Sequence, residues 1–119
     1  MLVVDGANVV GSRPDGWWND RAAAAARLYA QLREAHLLAP RVVLVLEGRA
    51  RAGVPETRIG GVHVVHAPRE GDDTIVEEVG RAAAEGDAVA VVTADRALAA
   101  RVEQLGAGVL GPGWLLDQL

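Results

Sequence analysis

The stretch MLVVDGANVVG, Met1 to Gly11, decides how the rest of the chain is read. Leu2, Val3 and Val4 make an apolar run that stops at Asp5; Gly6 then gives the backbone freedom to turn, and Asn8 adds a neutral amide. A continuous apolar run suits a strand covered on both faces, as strands of parallel sheets are. The stretch therefore reads as a buried strand that delivers a carboxylate to a cleft at its carboxyl end.

Working outward, apolar runs rich in β-branched residues recur as VVLVL at 42 to 46, VHVV at 62 to 65 and AVAVV at 88 to 92, with a shorter GVL at 108 to 110. Helical stretches lie between them. NDRAAAAARLYAQLREAH has Asn19 or Asp20 as its cap, Ala24, Leu28, Leu32 and Ala35 along one face, and Pro40 to end it. Further helices are expected from about Asp73 to Ala84, from about Arg96 to Leu105 ahead of Gly106, and near Pro112. Gly48 to Gly61, with Arg49, Arg51 and Arg58, is the one irregular insert.

Strands alternating with helices predict one α/β domain over residues 1 to 119: a parallel sheet with helices on both faces, three layers in all. Right-handed crossovers limit the strand orders, and 3-2-1-4-5 is the preferred one. That order sets the first and fourth strands side by side at the topological switch point, where open α/β sheets bind ligands at the carboxyl ends of their strands.

Asp5 ends the first strand, and VVTAD carries Thr93 and Asp95 past the end of the fourth. EGDDTIVEE brings Asp72 and Asp73 to the start of the second helix after a crossover loop over the same edge. Glu77 shares a helix face with Asp73 and reaches toward the rim, while Glu47 ends the second strand one position further out. Asp87 is an internal control: it precedes the fourth run, and about six residues at ~3.3 Å each put it roughly 20 Å from Asp95. Each acid alone also suits a helix cap. Three separated segments that send acids to one sheet end fit a divalent cation better, because like charges repel unless something cationic joins them.

The ligand chemistry narrows that cation. There is no Cys, so disulfides, thiolate nucleophiles and Cys-containing zinc sites are excluded. His63 and His66 stand three apart on a strand and face opposite ways, and His36 sits near a helix C-terminus, so none makes a chelating pair. All-oxygen ligands from Asp5, Asp73 and Asp95 indicate Mg²⁺ or Mn²⁺. Such an ion lowers the pKa of a coordinated water and stabilises charge on a phosphoryl oxygen, which is the chemistry of phosphodiester hydrolysis. Asn8 would orient the scissile phosphate or a metal-bound water, Thr93 would support Asp95, and Arg13, Arg49, Arg51 and Arg96 are the candidate phosphate contacts. In RPDGWWND, Trp17 and Trp18 either stack on unpaired bases or form a hydrophobic staple ahead of the helix cap. Trp114 is expected in the core.

Composition sets the outer limits. Half of the 119 residues are hydrophobic, which argues against disorder, and no apolar stretch approaches the ~20 residues of a membrane span. With no basic, apolar, cleavable leader ahead of the first strand, a cytoplasmic protein is expected. The net charge of -4 argues against a protein that coats nucleic acid electrostatically but allows local contacts. All twelve basic residues are Arg, suited to bidentate phosphate contacts, although the abundance of Ala, Gly and Arg also reads as the codon bias of a GC-rich genome.

DGANVVG, EGDDTIVEEV, VVTADRAL and the closing GPGWLLDQL, in that order and spacing, resemble the NYN group of PIN-like ribonucleases over nearly the whole chain. The resemblance implies a PIN-like fold, dependence on Mg²⁺ or Mn²⁺, and endonucleolytic cleavage of RNA. It also implies catalytic acids at Asp5, Asp72 or Asp73, and Asp95, with Asn8 beside them. Single-stranded RNA is the expected partner, and a homo-oligomer is compatible with the sequence. Two rival enzymes lack a required residue. A haloacid-dehalogenase-like phosphatase needs a second Asp two residues after Asp5, where Ala7 stands, and a response-regulator receiver needs a Lys in a chain that has none. A non-catalytic PIN-like domain that binds RNA or a protein partner is the remaining alternative.

Overall fold

In the computed structural model, which describes every residue except His36 and Leu38, five parallel strands form one sheet in the order β3-β2-β1-β4-β5. The strands are β1 (Leu2–Asp5), β2 (Val42–Leu46), β3 (Val62–His66), β4 (Ala90–Val92) and β5 (Gly108–Leu110). The helices are α1 (Gly6–Gly11), α2 (Arg21–Glu34), α3 (Gly71–Ala84), α4 (Arg96–Glu103) and α5 (Pro112–Gln118), with 3-10 turns at Trp17–Asn19 and Gly48–Gly53. The α/β class and the strand order are those expected. His36 lies outside the described residues.

The apolar runs are continuous because each strand is covered twice. Leu2 and Val4 of β1, with their partners Val42 and Leu44, face α1, α2 and α5, where Val9, Leu28, Leu32 and Leu115 close one core. Val3, Val43, Val45 and Val91 face α3 and α4, where Ile75, Val79, Leu98 and Val102 close the other. Alternate residues of a strand point to opposite faces, so the two cores share the strands residue by residue. Burying each such Leu, Ile or Val stabilises the fold by roughly 1.5–3 kcal/mol.

This parity settles where the strand ends point. Asp5, Glu47 and Thr93 continue the series of Val3, Val45 and Val91, which is the α3 and α4 side.

Four local expectations are corrected. Gly6 is not a flexible turn, since helix α1 starts there with no positive φ. Its role is close approach: a Cβ at Gly6 would stand 2.6 Å from the Val45 carbonyl oxygen and 2.9 Å from Leu46 Cδ2. β4 is shorter than expected because its first residue, Ala90, pairs with Leu2, where the ladder of β1 begins. The insert after β2 is partly regular. It makes the Gly48–Gly53 turn, bridges Thr57 to Val64, and pins Arg58 to the buried Glu78 of α3 at 2.6 Å. Trp114 is 41% exposed, because the phase of α5 puts Leu115 into the core instead.

Candidate active site

Asp5 ends the central strand, and both of its oxygens accept hydrogen bonds. Oδ1 takes the Asn8 N–H at 3.3 Å, which caps α1, and Oδ2 takes the Thr93 hydroxyl at 2.9 Å. The same Thr93 oxygen accepts the Asp95 N–H at 3.1 Å, so it ties the tip of β1 to the loop after β4. Asn8 makes a second tie, its Oδ1 accepting the Ala94 N–H at 2.8 Å. Asp95 caps α4 through Oδ1, which accepts the Leu98 N–H at 3.0 Å. Capping and a place in the cleft are thus compatible, since a carboxylate oxygen accepts more than one hydrogen bond.

On the other side of Asp5, Glu47 reaches from the end of β2 to α3, where its Oε2 accepts the Gly71 N–H at 2.9 Å. The residue before the helix, Glu70, makes no side-chain cap, so this long-range carboxylate takes that part. α3 consequently starts at Gly71, two residues earlier than expected.

The rotation of α3, which buries Ile75, Val79 and Ala82, decides which of two adjacent acids meets the cleft. Asp72 lines a cleft of about 580 Å³ together with Glu47, Glu70 and Asp95. Asp73 is turned away: its side chain is 82% exposed and pairs with Arg101 of α4 at 3.0 Å. The expected ligand Asp73 is therefore not brought to the acids, and its neighbour Asp72 is. Glu77, on the same helix face as Asp73, is likewise exposed.

Electrostatics mark the same group. Burial pushes the Asp5 carboxyl up to about 6 against the hydrogen bonds from Thr93 and Asn8, and the nearby charges of Asp72 and Glu47 push in the same upward direction. Asp72 is also raised, by partial burial first and then by Asp95 and Glu70, with Arg101 opposing. Among the described residues no three His, Asp or Glu side chains already stand as a ready group for a metal ion. His66 is engaged elsewhere, its Nε2 lying 2.7 Å from the Val54 carbonyl oxygen.

The expected phosphate contacts divide. Arg51 lines the cleft, held by the Gly48 carbonyl at 3.1 Å. Arg13 donates to Gln31 Oε1 at 2.7 Å and does not line the cleft, nor does the exposed Arg96. Trp17 lines the cleft, whereas Trp18 and Arg49 line a neighbouring groove. Thr93 is 3% exposed, with its hydroxyl donated to Asp5, so it positions an acid and does not contact a ligand. Arg21 and Arg69 line the cleft although sequence pattern did not single them out. For Arg69 a signal existed, because the loop after β3 lies over the carboxyl edge of the sheet. Arg21, the first residue of α2, gave none.

The control residue Asp87 lies at the other end of the sheet, 3.6 Å from Arg41. A cavity of about 810 Å³ opens at that end around Met1, Arg41, Asp87 and Trp114, without the acid group. Among the described residues no helix is long and apolar enough to cross a membrane.

No protein-family model matches the chain, and no curated protein matches it. Two crystal structures of Rae1 (YacP) from Bacillus subtilis are similar in fold. The W164L mutant has a TM-score of 0.67 at 17% identity, covering 98% of this chain and 72% of that one. The other has a TM-score of 0.66 at 19% identity, covering 98% and 71%. At such identity the likeness establishes architecture alone: the chain has a PIN-like α/β fold with the acid-lined cleft at the switch point of its sheet.

Proposed function

We propose that the chain is a divalent-metal-dependent endoribonuclease, with Asp5, Asp72 and Asp95 as its acids and Asn8 beside them. The observation that carries this reading is the condition of Asp5, a buried carboxyl at the tip of the central strand, pushed up to about 6 with Asp72 and Glu47 adding like charge. Such an arrangement is costly when ionised unless a cation joins it.

The donors fit a hard cation. They are carboxylate oxygens in a chain without Cys, which suits Mg²⁺ or Mn²⁺. Mg²⁺ is held through one or two carboxylates and keeps several waters, so acids that stand somewhat apart are compatible with it. When bound, the ion supplies charge stabilisation at a phosphoryl oxygen and lowers the pKa of a water.

The chain's own residues supply the rest. Thr93 holds Asp5 in place, and Asn8, anchored through its Oδ1, offers a neutral amide that adds no repulsion next to a phosphate. Arg21, Arg51 and Arg69 line the same cleft as the acids and attract the flanking phosphates. Hydrolysis forms a bond from the water oxygen to phosphorus and breaks the bond to the 3′ oxygen, which takes up a proton. The products are a 5′-phosphate and a 3′-hydroxyl.

End analysis of a labelled RNA pool incubated with Mn²⁺ or Mg²⁺, and then with chelator, tests the reading. Cleavage in metal that stops in chelator and leaves 5′-phosphates is expected. Cyclic phosphate ends, or full activity in chelator, would overturn it. The absence of a ready-made ligand group among the described residues favours a second reading, a non-catalytic domain of the same fold that binds RNA or a protein. Calorimetry with Mn²⁺ separates the two: the ribonuclease takes up the ion and Asp72→Asn weakens its uptake, whereas the binding domain shows neither effect.

A further inference from the structure

Beside the acid cleft runs a second groove of about 720 Å³, lined by Trp18, Asn19, Arg21, Ala22, Arg49 and Ala52, with Asp20 also on its wall. Its size lies within the roughly 300–1,000 Å³ of small-ligand sites. The two cavities share Arg21, and they meet along the Gly48–Gly53 turn, which gives Arg51 to the cleft and Arg49 to the groove.

The walls are fixed by packing. Trp17 is partly buried against the core, and the guanidinium of Arg21 stands 5.4 Å from its ring centroid. Trp18 meets Trp17 edge-on, with centroids 6.0 Å apart and planes at 86°, yet it is 60% exposed. A large indole left in water but held by its neighbour offers a face on which a base can stack. Nearby, the backbone of Gly53 packs directly on the first turn of α2: a Cβ there would overlap the Ala22 carbonyl. This contact clamps the turn that carries Arg49 onto the helix that carries Arg21.

Charge gives the direction. In the cleft a polyanionic strand is repelled by Glu47, Glu70, Asp72 and Asp95 and drawn to Arg21, Arg51 and Arg69. Of these, Arg21 continues into the groove, where Asp20 is occupied in capping α2 through the Ala23 N–H at 2.9 Å.

We propose that this groove is a separate subsite for an unpaired nucleotide flanking the reacting phosphate, its base stacked on Trp18 and its phosphate held between Arg21 and Arg49. Trp17 is a support for that platform, not a second one. The proposal rests on the ribonuclease reading for its substrate, and its test is a binding measurement that does not depend on turnover.

Labelled oligoribonucleotides of two and six nucleotides, and a fully paired stem, are titrated against the full chain by fluorescence anisotropy in millimolar Ca²⁺. Wild type should bind the six-nucleotide strand at least tenfold more tightly than the two-nucleotide strand, and the paired stem more weakly than the open strand. Trp18→Ala should lose most of that length-dependent gain, and Trp18→Phe should keep it. Arg49→Gln should lower affinity for the six-nucleotide strand and reduce its salt dependence. Melting temperatures show that each variant is folded; should Trp18→Ala fail to fold, Arg49→Gln carries the test, and an unchanged affinity and salt dependence in that variant would overturn the proposal. An undiminished gain in Trp18→Ala, tight binding of the paired stem, or no RNA binding at all would overturn the proposal. If the gain depends on Trp18 but no cleavage occurs in Mn²⁺ or Mg²⁺, the groove stands as a nucleotide-binding site and the ribonuclease reading falls. If cleavage occurs but the gain is independent of Trp18, the ribonuclease reading stands and the subsite falls.

Discussion

Asp5 is buried beneath two hydrogen bonds, and its folded-state pKa of about 6 stands above the ordinary 3.8. Between those values the native chain binds the proton more tightly than the unfolded chain does, so stability falls as pH rises. The stabilising contribution is full below about pH 4 and is lost as pH passes 6. A rise of about two units corresponds to about 3 kcal/mol at 1.36 kcal/mol per unit. Asp72 is raised as well and changes stability in the same direction. Urea midpoints in chelator at pH 4.5 and pH 7 should therefore show a larger loss for wild type than for Asp5→Asn. Equal losses would mean that the Asp5 carboxyl is not perturbed. In the same experiment Asp72→Asn should be more stable than wild type at pH 7, while Asp73→Asn, which gives up only an exposed pair with Arg101, should stay within ~1 kcal/mol of it.

At the level of elements, two glycines allow backbones to touch. Helix α1 can leave β1 directly because Gly6 has no Cβ to strike the Val45 carbonyl at 2.6 Å, and the Gly48–Gly53 turn can dock on α2 because Gly53 has none to strike Ala22. Gly6→Ala and Gly53→Ala should each cost roughly 1–3 kcal/mol, as overpacking does, or several degrees in Tm. Gly61→Ala is the control, since it has no positive φ and nothing within 4 Å of an added Cβ, and it should be neutral within ~0.5 kcal/mol. Scanning calorimetry of the three variants checks this. A Gly61→Ala loss as large as that of Gly6→Ala would show that steric contact is not the cause.

Across the whole molecule, the sheet has two ends with different chemistry. Its carboxyl end gathers Asp5, Glu47, Asp72 and Asp95, and its amino end has the cavity lined by the Asp87–Arg41 pair and Trp114. On the proposed function, Asp5→Asn and Asp95→Asn should each lower RNA cleavage at least 100-fold, because each removes a charge at the switch point. Asp87→Asn should leave the rate within about twofold of wild type. Initial rates on one labelled RNA in Mn²⁺ decide the matter, and an equal loss in all three variants would place the chemistry elsewhere.

The strands, their order and the edge at which the acids emerge were legible in the sequence. Continuous runs such as VVLVL mark a strand covered on both faces, and a right-handed parallel crossover leaves few ways to arrange them. Asp5, Asp95 and the Asp72–Asp73 pair follow from that arrangement because they end or overhang strands. Which of the adjacent pair enters the cleft did not follow. A helix turns by about 100° per residue, so two adjacent acids point in different directions, and which one enters the cleft is decided by how α3 packs Ile75, Val79 and Ala82 against the sheet. The same limit explains Trp114, one step out of phase with the buried Leu115, and Gly6, whose need to be small comes from a carbonyl on another strand. It explains Arg21 as well, which lines the cleft where α2 and the Gly48–Gly53 turn pack together. Local pattern determined what each segment is, since burial repeats with the period of its backbone; contacts between distant segments decided which side chains share the cleft, because they set the rotation of each element about its axis.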